Sequence, residues 1–136
     1  MTAPAFELQA LIVTTLKANV ALMALINGVY DHPPPDPWGA AKAYVSIGST
    51  DVLIDDADCV AGEEHTIQLD VWSRAVGAVE CKKICAAVKA ALHQAEISLT
   101  DNALVEIELQ LYRVLRDPDG LTTHGVMQFR VAIEEF

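Results

Sequence analysis

The carboxylates in the middle of the sequence are the densest group of side chains that could do chemistry. They are Asp51, Asp55, Asp56, Asp58, Glu63 and Glu64. Carboxylate oxygens are the usual ligands of calcium and magnesium ions. The segment nevertheless lacks the spaced ligands and the turn glycine of a calcium loop, and runs of like charge usually form solvated or partner-facing surfaces. We therefore expect an acidic surface loop over residues 55–62, and no metal site.

The histidines and cysteines do not form a recognisable catalytic or zinc-binding pattern. The histidines are dispersed, and no serine or cysteine nucleophile lies in a known turn motif beside one. Cys81 and Cys85 are one helical turn apart, which predicts two buried thiols, because no further Cys or His pair completes a zinc site. The glycines are isolated, so we expect no nucleotide cofactor. A small intracellular enzyme that uses the acidic segment and a histidine remains the competing hypothesis.

Composition excludes further classes of function. The chain has 136 residues, enough for one domain with a real core, and 52% of them are hydrophobic. Nine basic residues against nineteen acidic ones give a formal charge of -10, which argues against tight binding to nucleic acid. The longest apolar stretch, residues 20–26, is too short to cross a bilayer, and the first residues lack a signal-peptide pattern. We expect synthesis in the cell and no membrane contact.

The first half of the chain predicts helices, a proline loop and strands. Apolar residues recur at helical spacing over residues 6–26, and Asn19 interrupts them as the possible cap of a separate short helix. The prolines of residues 31–38 require an extended surface loop. Residues 43–47 alternate as a strand, which residues 51–54 either extend or follow as a new strand. Trp38, after the proline loop, could be an interface anchor or could plug the edge of the core.

The second half predicts a strand, a helix and a long hairpin. Residues 65–72 alternate as a strand, and residues 75–93 form a helix whose start Ser73 could cap. Residues 103–115 and 124–134 alternate on either side of a tight Asp-Pro-Asp-Gly turn. Side chains alternate at period two, so odd positions should face the core. The even face mixes charged residues with Tyr112, Val114, Val126 and Ala132, which favours a protein contact over bare solvent.

These elements predict one domain over residues 1–136 with an α+β fold. We expect a mostly antiparallel sheet, two main helices packed on one of its faces, and a long β-hairpin at the C-terminus. The predicted subunit-contact residues on the hairpin's outer side are Tyr112, Val114, Arg116, Val126, Gln128 and Arg130.

Several segments, in order, resemble the tail terminators, or tail completion proteins, of tailed phages and gene transfer agents. The likeness spans nearly the whole chain and includes residues 8–13, 29–32, 43–48, 64–73 and 86–93. Its most specific parts are Arg-Val-Leu-Arg-Asp-Pro-Asp-Gly at residues 113–120 and His-Gly-Val-Met-Gln-Phe-Arg at residues 124–130.

The resemblance implies a structural virion protein without an active site. It implies a homo-oligomeric ring, taken as a hexamer, at the head-proximal end of the tail tube, where the ring stops tube growth and meets the head-side connector. DNA would pass through the lumen without specific binding. It further implies synthesis in the bacterial cytoplasm and assembly into the tail or neck of the particle. The residues expected to contact tube or connector are Trp38, Asp55, Asp56, Asp58, Glu63 and Glu64.

Two other hypotheses remain beside the terminator. One is a different neck, connector or minor tail protein built on similar α+β material. The other is a monomeric binding module with one small ligand, which would show no tendency to form rings.

Overall fold

The computed structural model describes residues 2–57 and 59–135, and Asp58 of the predicted contact set therefore lies outside the described residues. In chain order the elements are α1 (Pro4–Lys17), α2 (Val20–Met23), β1 (Val29–Tyr30), β2 (Ala43–Ile54), β3 (Ala61–Ser73), α3 (Val79–Leu92), β4 (Ala103–Arg116) and β5 (Thr123–Glu135). No helix in the described ranges is long and apolar enough to span a membrane.

The strands form one five-stranded sheet in the order β1-β2-β3-β5-β4. All neighbouring pairs are antiparallel except β1 and β2, which are parallel. The predicted α+β class with a largely antiparallel sheet is confirmed.

Helices α1 and α3 bury their apolar stripes against one face of this sheet. The buried positions of α1 are Pro4, Leu8, Ile12 and Leu16, at the spacing that places them on one helical face. In α3 the buried positions are Cys81, Ile84, Cys85, Val88 and Leu92, which confirms the predicted pair of buried thiols. From the sheet, β3 and β5 contribute alternate residues to the core, which are Ile67, Leu69, Val71, Met127, Phe129, Val131 and Ile133.

The N-terminal half follows the predicted pattern closely. Asn19 does separate two helices, and its Oδ1 accepts a hydrogen bond from the backbone N–H of Leu22 at 2.9 Å. Residues 31–38 contain no helix or strand. Of the two alternatives for residues 51–54, the structure shows one continuous strand β2 with a register shift between Ile47 and Thr50.

Two predicted boundaries were wrong. Helix α3 begins at Val79, not at residue 75, and Ser73 does not cap it, because Ser73 is the buried last residue of β3 and its Oγ accepts from the N–H of Ala75. Strand β3 begins at Ala61, so Glu63 and Glu64 lie in a strand rather than in or beside a loop. Pairing with β2 and β5 extends β3 beyond its alternating apolar segment. The loop before α3 contains Gly77 at φ +79, a left-handed conformation that does not occur within an α-helix.

The predicted facing of β4 was wrong for half of the strand. Register shifts interrupt the β4–β5 ladder between Leu104 and Glu106 and between Leu109 and Leu111. Each shift inserts one residue, and an inserted residue reverses the side on which the following side chains lie. Consequently Ile107 and Leu109 face the helices as predicted, whereas Leu111 pairs with Gln128 on the opposite face.

Candidate assembly surface

One face of the sheet is left without helices, and we call it the uncovered face. The register places on it, across the strands, the row Tyr44, Trp72, His124 and Leu115, followed by Ser46, Asp70, Val126 and Arg113. Further along the strands come Gln68, Gln128 and Leu111, then Thr66, Arg130 and Glu108, and then Glu64, Ala132 and Glu106. The face therefore changes from aromatic at one end to charged at the other.

At the aromatic end, rings and polar groups are held in one arrangement. The Trp72 ring stacks on His124 with centroids 3.8 Å apart, and its indole N–H donates to Ser46 Oγ at 3.1 Å. His124 Nε2 lies 2.7 Å from Asp70 Oδ1. The Tyr44 ring stacks on the other side of Trp72, with centroids 6.3 Å apart. Partial burial raises the pKa of the Tyr44 hydroxyl. Ring stacking and hydrogen bonds therefore connect strands β2, β3 and β5 at this end of the face.

Trp38 ties the proline loop to this end of the sheet. Its ring meets Tyr44 edge-on at 4.9 Å, and the Arg74 guanidinium lies 4.1 Å above its centroid. Arg74 Nε also donates to Thr122 Oγ1 at 3.4 Å, next to the β4–β5 turn. Trp38 and Trp72 are both half-buried against the sheet. Packing explains both rings, and the role of Trp38 as a tube or connector contact stays a prediction.

The β4–β5 turn is organised by one carboxylate. Asp119 Oδ1 accepts from the backbone N–H groups of Leu121 and Thr122 at 2.8 and 2.9 Å, and Oδ2 accepts from the Thr122 hydroxyl at 2.8 Å. These hydrogen bonds lower the pKa of Asp119. Gly120 follows with φ +72, the left-handed conformation that glycine adopts readily. The Asp-Pro-Asp-Gly part of the resemblance thus builds the turn itself.

At the charged end, Arg130 links three strands. Its guanidinium lies 2.6 Å from Glu106 on β4 and 3.7 Å from both Glu64 on β3 and Glu108 on β4. The hydrogen bond from Arg130 to Glu106 raises the pKa of the guanidinium. Arg130 is therefore engaged within its own subunit, and three carboxylates share a single cation.

The predicted subunit-contact residues do not share one face. Val126, Gln128 and Arg130 do lie on the uncovered face. Tyr112, Val114 and Arg116 pair with Met127, Gly125 and Thr123, which are positions of β5 on the helix side of the sheet, so the predicted facing of these three was wrong. The second register shift in β4 is the physical reason. Val114 packs against the core, whereas Tyr112 remains 45% exposed at the sheet edge. Contact roles for the six residues stay predictions.

The predicted acidic contact residues are divided between the β2–β3 connection and strand β3. Asp55 and Asp56 lie in it, and both close it through Gly62: the Asp55 N–H donates to the Gly62 carbonyl, and the Gly62 N–H donates to Asp56 Oδ1. Glu63 faces the helix side, where its carboxylate lies 2.9 Å from Nε2 of the buried His65. Glu64 faces the uncovered side beside Arg130. Among the described residues, no three acids, histidines or cysteines converge as metal ligands.

Exposed apolar side chains lie at both edges of the sheet, and of these sequence reasoning had proposed only Tyr112 as a contact residue. Along the open part of β2 they are Val52, Leu53 and Ile54. Along the second half of β4 they are Leu111, Tyr112 and Leu115, interspersed with Arg113 and Arg116. The run of three apolar residues before Asp55 was the available signal on β2. On β4 the available signal was the break in alternation, where apolar side chains are adjacent at Leu111-Tyr112 and at Val114-Leu115.

The sequence and the fold both match known virion proteins. The family model of the tail completion protein gp17 matches residues 10–134. The chain belongs to this family. Tail completion protein gp17 of Bacillus phage SPP1 is 30% identical over 127 residues, which are 93% of this chain and 91% of that protein. A chain from the virion of a native gene transfer agent particle superposes with a TM-score of 0.88 at 32% identity, covering 98% of this chain and 99% of that one.

The resemblance that the sequence segments carry is therefore confirmed. This tail completion protein is a structural component of a phage or gene transfer agent virion. The match to the family model includes β2, β3, α3 and the hairpin of β4 and β5.

Proposed function

We propose that this tail completion protein is a tail terminator. It forms a ring, taken as a hexamer, on the head-proximal end of the tail tube, where it stops polymerisation and offers a surface to the head-side connector. The observation that carries the proposal is the near-complete match to a chain of a gene transfer agent virion, at a TM-score of 0.88.

The shape and charge of the subunit support a ring. A ring requires two different lateral surfaces on each subunit, so that the same contact repeats around the axis. The sheet has such surfaces, because its two edges expose different apolar side chains and opposite charges. The formal charge of -10 supports passage of DNA through the lumen without binding, since like charges repel.

The experiment is a tube-growth assay with the purified chain and the tail tube protein of the same particle. We expect tubes of limited length, with a ring visible by negative-stain microscopy at one end, and joining of these tubes to heads that carry the connector. Tubes that keep growing at both ends in the presence of saturating chain would contradict the terminator role. Binding to the connector in the absence of tubes, with unlimited tube growth, would favour a neck protein instead.

A further inference from the structure

The open part of strand β2 forms an acidic apolar edge. We call Asp51, Val52, Leu53, Ile54, Asp55, Asp56 and Val60 the acidic edge patch. Leu53 and Ile54 are 66% and 71% exposed. Strand β1 pairs only with Val45 and Ser46, so within the described ranges no strand lies beside residues 51–54 on their outer side. An unpaired edge with exposed apolar side chains is a site where another chain can add.

The second half of strand β4 forms a basic apolar edge. We call Leu111, Tyr112, Arg113, Leu115 and Arg116 the basic edge patch. Leu111, Tyr112 and Leu115 are 47%, 45% and 37% exposed. The residues that follow α3 cover β4 only at Ile107 and Leu109. There the N–H of Leu109 donates to His93 Nδ1, and the N–H of Gln94 donates to the Ile107 carbonyl. Beyond Leu109, the described residues place no strand on this edge.

The charges on the two patches have no ionic partners of their own. Among the described residues, neither Arg113 nor Arg116 forms an ion pair, and neither do Asp51 and Asp55. Arg130, by contrast, is already surrounded by carboxylates. Two exposed apolar patches of opposite charge, at opposite edges of one sheet, are complementary to each other across two copies of the chain.

We propose that the acidic edge patch of one subunit docks on the basic edge patch of the next subunit. The contact is heterologous, so it closes into a ring when the rotation between subunits closes. β2 and β4 run in opposite directions in the sheet, so neighbouring subunits with the same orientation bring these edges together antiparallel. This proposal rests on the ring of the proposed function and names the surfaces that form it.

The positions of the patches predict the tilt of the strands in the ring. Through the strand pairing, Leu53 of the acidic edge patch is level with Ala132 of β5, and Arg113 of the basic edge patch is level with Val126. The two patches are therefore offset by six residues along β5. At about 3.4 Å per residue this offset is roughly 20 Å, and one subunit's repeat of four strands at about 4.8 Å is roughly 19 Å wide. Docking the patches therefore tilts the strands by on the order of 45° from the ring axis. Closed β-barrels show tilts of this size.

Charge exchange tests the contact directly. One variant carries Asp51→Lys and Asp55→Lys, a second carries Arg113→Glu and Arg116→Glu, and a third carries all four substitutions. Each of the first two places like charges across every interface and should weaken association about tenfold or more per interface. The third restores opposite charges and should assemble again. An equal mixture of the first two variants should also assemble, into rings in which subunits of the two variants alternate.

The readouts are sedimentation velocity at high protein concentration and the number of rings on tube ends by negative stain. Lys82→Glu with Lys83→Glu, two exposed positions on α3, is the matched control and should assemble normally. Thermal unfolding checks each variant, and Asp51→Asn with Arg113→Gln serves as a milder pair if a reversal unfolds the chain. All substituted positions are exposed, so folding should persist.

Unchanged assembly of the first two variants, or no recovery in the four-substitution variant and the mixture, would overturn the proposed contact while leaving the terminator role intact. Variants that form rings but fail to cap tubes would also overturn it, because the patches would then face the tube. A wild-type chain that forms no ring, alone or on tube ends, would instead refute the proposed function itself.

Discussion

Replacing Gly125 by alanine should destabilise the protein, because α3 lies directly against this position of β5. A Cβ at residue 125 would lie 2.7 Å from Cys85 Sγ and 3.2 Å from both Cys81 Sγ and Val71 Cβ. Ordinary contacts between such atoms lie at about 3.5–4.0 Å. All three neighbours are fully buried, so none can move into solvent. The added methyl group must therefore displace the helix or strain the thiol rotamers.

The expected size follows from two opposing effects. Inserting a methyl group into a packed core costs about 1–3 kcal/mol. The lower entropy of the unfolded alanine chain offsets about 0.4–1 kcal/mol of this cost. The net loss should be about 1–2 kcal/mol in the free energy of unfolding, or about 3–7 °C in Tm for a chain of this length. Urea unfolding under reducing conditions measures it.

A double-mutant cycle isolates the contact. Cys85→Ala removes the nearest sulfur, so Gly125→Ala should cost about 1 kcal/mol less in that background than in the wild type. The remaining contacts with Cys81 and Val71 should prevent complete rescue. Cys59→Ala, which removes the exposed thiol, is the control and should leave the cost unchanged. An equal cost of Gly125→Ala in all three backgrounds would refute the steric explanation.

Two further predictions concern single polar side chains. Asn19→Ala removes the side chain that caps the Leu22 N–H and should lower the free energy of unfolding by about 1 kcal/mol, measured by urea unfolding. Asn19→Ser keeps a capping oxygen and should retain most of the wild-type stability. Equal losses in the two variants would exclude capping as the cause. The lowered pKa of Asp119 means that its carboxylate stabilises the fold above the ordinary aspartate pKa of about 3.9, and that this contribution disappears as pH falls through the lowered pKa. The stability difference between wild type and Asp119→Asn should therefore be constant near neutral pH and shrink below about pH 4; a difference that grows on acidification would show that the turn does not depend on the charged carboxylate.

Features that depend on nearby residues were predictable from the sequence. The break at Asn19 follows from a side chain that bonds three residues ahead, and the loop of residues 31–38 follows from the fixed dihedral angle of proline. The alternation of β3 and β5 predicted their buried faces correctly, because the period of two is a property of any extended strand. Family membership was likewise recognisable from the order of the segments, and the family model that matches residues 10–134 confirms it.

The facing of β4 and the composition of the two edge patches were decided only by the tertiary structure. The β4 segment alternates strictly only over residues 105–111, and its pairing with β5 contains two register shifts, of which the second moves Leu111 out of the core and Tyr112 to the helix side. The break in alternation at Leu111-Tyr112 does not by itself give the facing, because the position of an inserted residue is fixed by the ladder with the other strand. In the same way, the acidic segment and the two arginines are sixty residues apart in the chain, and only the strand order β1-β2-β3-β5-β4 places them at opposite edges of one sheet.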